Sequence, residues 1–254
     1  MTGSFLRIAA LVVTNLAGLA AFGWPFLLSG VSAEDARPDA PFFTVLFLSL
    51  LGALLLVELG RGGMGPKAVA LTGVLGAAMV ALRLPGFVAG FSAMFIVVLV
   101  AGNAFGPAFG FVLGAVGTFA SGLFVGGLGP WLPFQMIAVG WVGAGAGLMP
   151  RRGDWRVRIG ALAVYGVVAG YLFGALINLY FWPFTVASGP LGWSVAAPPP
   201  VNLAHYARFY LVTSAGWDTF RALGNAVLVV VLGRPLLGAL DRAARRMHFR
   251  LGEG

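Results

Sequence analysis

Residues 158–182 read RIGALAVYGVVAGYLFGALINLYFW. One charge, Arg158, opens the run, and one amide, Asn178, interrupts it near its far end. A helix needs about 20 apolar residues to cross a hydrocarbon layer about 30 Å thick at about 1.5 Å per residue, so the stretch reads as a transmembrane helix. Further apolar runs of this order lie near 5–28, 42–59, 67–84, 87–104, 106–125, 132–149 and 209–233, which makes about eight spans. Prolines gather where runs stop, at Pro38, Pro41, Pro66, Pro85, Pro107, Pro130, Pro150, Pro183 and Pro198 to Pro200, because a residue without an N–H cannot continue a helical ladder. Only Asn103 to Pro107 separates the fourth run from the fifth, which leaves room for one of them to be short or re-entrant.

The whole composition agrees with that stretch. Of the 254 residues 59% are hydrophobic and 9% charged, a balance that suits lipid as solvent and not a soluble domain. The net charge of +8 is 16 Lys+Arg less 8 Asp+Glu. It would point to nucleic acid only if clustered on a polar surface, and here the basic residues lie in short segments between apolar runs. No cysteine is present, which excludes disulfides, thiolate metal sites and cysteine nucleophiles.

Lys and Arg are costly to translocate and mark the cytoplasmic side. With the N-terminus inside, the inner segments hold Arg7, Arg61, Lys67, Arg151, Arg152, Arg156, Arg158, Arg234, Arg242, Arg245, Arg246 and Arg250, twelve of the 16 basic residues. The first outer loop carries Glu34, Asp35 and Asp39 against Arg37 alone. A multi-pass protein of the cytoplasmic membrane with both termini inside is expected. Arg7, the first run and Val31-Ser32-Ala33 before Glu34 have the outline of a secretory signal. The apolar stretch exceeds the roughly 7–15 residues usual in a signal, so it is read as a retained span.

Glycines recur every four residues at Gly106, Gly110 and Gly114, at Gly143 and Gly147, and at Gly166, Gly170 and Gly174, with Ala77 and Ala81 as a similar pair below Gly73. Smooth faces of this kind let helix backbones approach where lipid gives no hydrophobic drive for association. The most distinctive segment is Gly126-Gly127-Leu128-Gly129-Pro130-Trp131-Leu132-Pro133-Phe134-Gln135-Met136, an irregular outward turn. Such backbone is tolerated at membrane depth only beneath protein or beside a water-filled cavity. Trp131 fits an interfacial belt, whereas Gln135, just inside the next span, needs partners for its amide.

Asn178, Tyr180 and Trp182 end the seventh run, and Trp193, His205, Tyr206, Arg208 and Tyr210 follow. Aromatics with intermittent donors suit a large, partly apolar ligand or an aromatic belt. Asp218 and Arg221 are opposite charges three apart inside the last predicted span, near Trp217 and Asn225. Counted from Ala207, Asp218 falls about 16 Å along that helix, near mid-membrane, where an ion pairs, faces a cavity or serves function. Arg83 closes the third run and is placed to snorkel outward.

No G-x-x-x-x-G-K-[ST] loop, H-E-x-x-H or G-x-S-x-G occurs, and His205 and His248 lie too far apart for a local metal motif. No catalytic residue, metal or cofactor is expected.

From Lys67 to Arg246 the chain resembles the substrate-binding S components of energy-coupling factor transporters. The carriers are the small-residue helix Ala70 to Arg83, the stretch Gly102 to Gly114, the glycine-proline-tryptophan-proline-glutamine segment, Asn178 to Phe184, and the final helix with Asp218, Arg221 and Asn225. The resemblance implies an all-α polytopic fold with a six-helix substrate-binding core over 67–246. An N-terminal transmembrane hairpin over 1–66 precedes it, as a departure from the family pattern, and a cytoplasmic tail over 247–254 follows. It implies capture of a vitamin or vitamin precursor from outside, association with a transmembrane coupling subunit and two ATPase subunits, and toppling in the membrane to release inward. The family's alanine-x-x-x-alanine contact with the coupling subunit falls on Ala77 and Ala81. By region, pocket roles fall on Arg83, Trp131, Gln135, Asn178, Trp182, His205, Tyr206, Asp218, Arg221 and Asn225. The likeness is greatest to actinobacterial members, which suggests cobalamin or another corrinoid as solute. Two other readings compete: a stand-alone secondary transporter or channel using Asp218 as ion or proton site, and a membrane enzyme on lipid substrates with Asp218 and His205 as acid and base. The latter lacks the clustered acidic or histidine residues such chemistry needs.

Overall fold

The computed structural model describes residues 2–27, 66–84, 92–151, 153–185, 189–194 and 196–247, and every regular element among them is helical. In chain order these are α1 (Thr2–Leu27), α2 (Pro66–Arg83), α3 (Met94–Phe105), α4 (Pro107–Ser121, running on as a π turn over Gly122–Gly126), α5 (Leu132–Ala146), α6 (Trp155–Thr185), α7 (Pro199–Thr213) and α8 (Ala215–Met247). Pro66, Pro107 and Pro199 each open a helix, where the missing N–H costs nothing. Pro25, Pro183 and Pro235 lie inside helices, so the run ending at Pro183 carries on to Thr185. α2, α4 with its π turn, α6 and α8 are each long and apolar enough to cross a membrane, and α3, α5 and the Val12–Phe26 part of α1 are shorter apolar helical stretches. The expected second run, 42–59, lies outside the described residues, as do His248 and the rest of the tail.

One apolar core runs through α2, α3, α4, α5, α6 and α8, from Ala68 and Met79 through Phe95, Leu99, Leu113, Val139 and Leu162 to Val229 and Leu237. Its tightest seam joins the first two glycine stripes, which face each other. A side chain at Gly110 would overlap the Gly143 carbonyl, one at Gly143 the Gly110 carbonyl, and one at Gly114 would come within 2.5 Å of the Val139 oxygen. Gly106 turns α3 directly into α4 at φ 106, a conformation that favours glycine. The third stripe does the same work between α6 and α8, where a Cβ on Gly170 would stand 2.8 Å from Ala222 Cα.

At the other end of the bundle, Arg158 ties helix ends together. It donates to both oxygens of Asp241 at 2.6 and 3.0 Å and to Asn103 Oδ1 at 2.7 Å. The amide nitrogen of fully buried Asn103 lies 3.2–3.3 Å from the carbonyls of Ala146, Met149 and Pro150, where α5 ends and its backbone oxygens lack partners. α1 joins the bundle at α5: Asn15 accepts from the Trp141 indole at 2.5 Å, and Phe22 meets Phe134 edge to face at 5.2 Å.

The last helix differs from expectation. A single span over 209–233 was expected; the chain breaks at Ser214 (φ −132), and α7 and α8 are separate. Asp218 therefore sits in the first turn of α8, not near mid-membrane. The 23 residues from Asp218 to Asp241 cover about 34 Å at 1.5 Å per residue, so the Asp218–Arg221 and Arg158–Asp241 pairs bracket a layer of about membrane thickness.

Candidate functional site

At the end assigned as outer by the arginine distribution, two polar groups are built on different helices. The first starts from Arg83, the last residue of α2. Instead of reaching out toward the interface, its guanidinium turns inward and donates to Ser121 Oγ at 2.5 Å and to Gln135 Oε1 at 3.3 Å, tying the ends of α2, α4 and α5. Ser121 in turn donates to the Thr118 carbonyl at 3.0 Å. Among the described residues the carboxylates are Asp154, Asp218 and Asp241, and each is engaged elsewhere. The half-buried Arg83 cation thus has only neutral partners among the described residues, an arrangement that favours an anionic or strongly accepting group beside it.

The irregular segment covers this group. The π turn ends at Gly127, whose φ of 73 favours glycine, and a side chain at Gly129 would overlap the half-buried Trp131 ring. Phe124 and Leu128 beside it are 75% and 63% exposed, and Gln135 begins the second turn of α5 with its amide already held by Arg83.

The second group joins α6, α7 and α8. Asp218, 1% exposed, accepts from the Tyr210 hydroxyl at 2.8 Å and from Arg221 one turn further on. The Arg221 guanidinium lies 5.1 Å over the Phe173 ring, and the approach of Asp218 to α6 depends on Gly174, where any side chain would overlap the Asp218 carboxylate. Asn178 donates to the Gly174 carbonyl at 2.8 Å and accepts from Ser214 at 2.7 Å, and Tyr206 donates to the Ala175 carbonyl. α7 is not among the helices apolar enough to span. Burial first, and the Asp218 charge with it, holds the Tyr206 and Tyr210 phenols above the usual tyrosine range, so both remain neutral donors. Every member of this group has a partner among the described residues. Asn225, two turns deeper, donates to the Gly166 carbonyl at 3.1 Å and leaves its own buried oxygen without a partner.

Trp182 and His205 fall in neither group; they pin the outer loop. The fully buried Trp182 indole donates to the Leu191 carbonyl at 2.7 Å, and His205 Nδ1 lies 2.9 Å from the Gly192 carbonyl. Trp193 reaches the Pro25 carbonyl at 2.7 Å and Trp24 meets Trp193 at 5.2 Å, so α1 latches this cap. An aromatic layer separates the two polar groups, with Phe134 against Tyr180 at 4.3 Å and Phe95 against Phe173 at 5.1 Å.

Sequence reasoning paired Asp218 with Arg221 and placed Arg83 and Gln135 in one site region. It did not find Ser121, Ser214 or the Arg158–Asp241–Asn103 cluster, whose members are 55 and 83 residues apart and carry no local signal. No group of His, Cys, Asp or Glu able to hold a metal occurs among the described residues.

Ala77 and Ala81 stand apart from both groups, on the exposed face of α2 with Ala70 and Gly73, and a Cβ built on Gly73 would meet nothing within 4 Å.

No curated protein and no solved structure matches the chain. A family model described as "ECF transporter, substrate-specific component" matches residues 67–233.

Proposed function

We propose that this chain, which belongs to the family of substrate-specific components of ECF transporters, captures a vitamin-like solute at its outer end and delivers it inward only with a coupling subunit and ATPases. The observation that carries this reading is the bare small-residue face of α2. The other glycine stripes are buried against one another or against a neighbouring helix. Among the described residues, Ala70, Gly73, Ala77 and Ala81 present small side chains outward, with exposed Val74 between them. In lipid, where association rests on close backbone approach, a smooth uncovered face of this kind suits a helix from another subunit. Ala77 and Ala81 are the proposed coupling contact.

Solute contact is assigned first to Arg83, Gln135 and Trp131, where a cation with only neutral partners among the described residues and an irregular, partly exposed turn meet. Asn178, Tyr206, Asp218, Arg221 and Asn225 form the proposed facing wall, closed in this conformation by α7, with Trp182 and His205 holding its cap. Binding energy then shifts the chain between an outward and a partner-bound state. A corrinoid or its precursor is the proposed solute, on the likeness to actinobacterial S components. The termini are placed in the cytoplasm on the distribution of arginine.

Ala77→Trp tests the assignment. The substitution lies on a face without internal contacts, so purified variant should bind solute as the wild type does, while uptake by the assembled transporter stops. Loss of solute binding in Ala77→Trp, or unimpaired uptake, refutes it.

A further inference from the structure

At the inner ends of α6 and α8 lies an open groove of about 550 Å³. Its floor is apolar, with Ile159 and Leu237 nearly buried, and its rim is basic. Arg158 on one wall is already neutralised by Asp241 at 2.6 Å. Arg234 and Arg242, both exposed, have no carboxylate partner among the described residues. Arg234 stacks 4.3 Å over the Trp155 ring, which is 45% exposed, and Arg156 stands 5.8 Å from the same ring.

The surface above the groove limits what it can hold. Leu223, Val227 and Val230, spaced by four and three residues on α8, are 57%, 58% and 60% exposed and lead down to Arg234. This places an uncharged apolar strip of about 10 Å directly above two guanidinium groups that have no carboxylate partner among the described residues. A soluble anion has no use for that strip. A lipid does: its acyl chains lie along the strip, its phosphate meets the guanidinium pair, and Trp155 sits at the glycerol level where indoles are favoured. The arginine distribution puts this end in the cytoplasm, where anionic headgroups are concentrated and basic pockets between helices bind them. The groove lies on α6 and α8 and shares no residue with the exposed face of α2.

We propose that the groove binds one anionic phospholipid, with its phosphate between Arg234 and Arg242 and its chains on the Leu223–Val227–Val230 strip. Native mass spectrometry of the full chain in non-ionic detergent, titrated with dioleoylphosphatidylglycerol, dioleoylphosphatidylcholine or inorganic phosphate, tests it. The wild type should take up one phosphatidylglycerol more tightly than any further copy and more tightly than phosphatidylcholine. Arg234→Gln with Arg242→Gln should weaken that first step about tenfold or more. Arg245→Gln with Arg246→Gln, the same charge change outside the groove, should leave it within about twofold. A single Arg242→Gln keeps the test alive if the double variant does not fold, and should give an intermediate loss. Equal loss in both double variants overturns the proposal, as does equal binding of phosphatidylcholine. Displacement of the lipid by millimolar inorganic phosphate would make the groove a free-anion site. Loss of the lipid once coupling and ATPase subunits are bound would make it a protein contact. Either result overturns the lipid assignment.

Discussion

Gly170→Ala and Gly160→Ala are the same chemical change on the same helix, and the geometry separates them. A Cβ on Gly170 would stand 2.8 Å from Ala222 Cα, 3.0 Å from Ala222 N and 3.2 Å from Ala222 Cβ, all atoms that side-chain rotation cannot move aside. Ordinary carbon contact begins near 3.5 Å, so α6 and α8 must part by roughly 0.7 Å along the seam that also seats Asp218. Overfilling of this kind costs about 1–3 kcal/mol. At Gly160 nothing lies within 4 Å, and the gain in helix propensity is at most about 1 kcal/mol. The propensity gain applies equally at Gly170 and cancels, so the two variants should differ by about 1–3 kcal/mol, or on the order of 3–10 °C in unfolding midpoint for a chain of this size. Circular dichroism melting in detergent, with both variants and the wild type at equal protein and detergent concentrations, provides the comparison. Gly170→Ala melting at or above the wild type would refute the close contact between α6 and α8.

Arg83→Gln removes the cation while leaving a hydrogen-bonding amide, and should reduce solute affinity about ten- to a hundredfold, the usual range for a bond to a charged group. Titration calorimetry with the solute that copurifies with the chain measures this, and unchanged affinity would remove Arg83 from the site. Arg158→Ala strands Asp241 and Asn103 together; with the Arg158 and Asp241 side chains 12% and 28% exposed, solvent softens the loss to about 2–3 kcal/mol. Adding Asp241→Ala should recover part of it in thermal melts, and a fully additive double variant would show that the pair is not coupled. Trp193→Phe deletes the indole bond to the Pro25 carbonyl and should cost about 1 kcal/mol, with faster protease cleavage in the outer loop. An unchanged digestion rate would deny α1 its latch role.

The membrane helices were legible because lipid imposes one rule, a long apolar run satisfied by its own backbone, and because prolines such as Pro66 and Pro107 fall where one run stops and the next begins. The glycine stripes were legible as smooth faces but not as partners. That Gly110 meets Gly143, while a side chain at Gly73 would face open space and Ala77 is exposed, is decided by tertiary arrangement. The break at Ser214 went unread because the apolar residues on either side of Thr213-Ser214-Ala215-Gly216 read as one run of spanning length. The available signal was local: Thr213-Ser214 ahead of an acidic Asp218 in the first turn is a helix-start pattern. At the site, Asp218 and Arg221 were readable as a pair from their spacing. Their burial beneath Tyr210 was not, since it depends on α7 folding back over α8.

Accumulation in sealed proteoliposomes tests the central claim most directly. With radiolabelled solute, vesicles carrying this chain alone should bind a stoichiometric amount and accumulate none, and uptake should appear only when coupling and ATPase subunits and ATP are added. Uptake by the chain alone, abolished in Asp218→Asn, would contradict the account and make this a self-sufficient transporter.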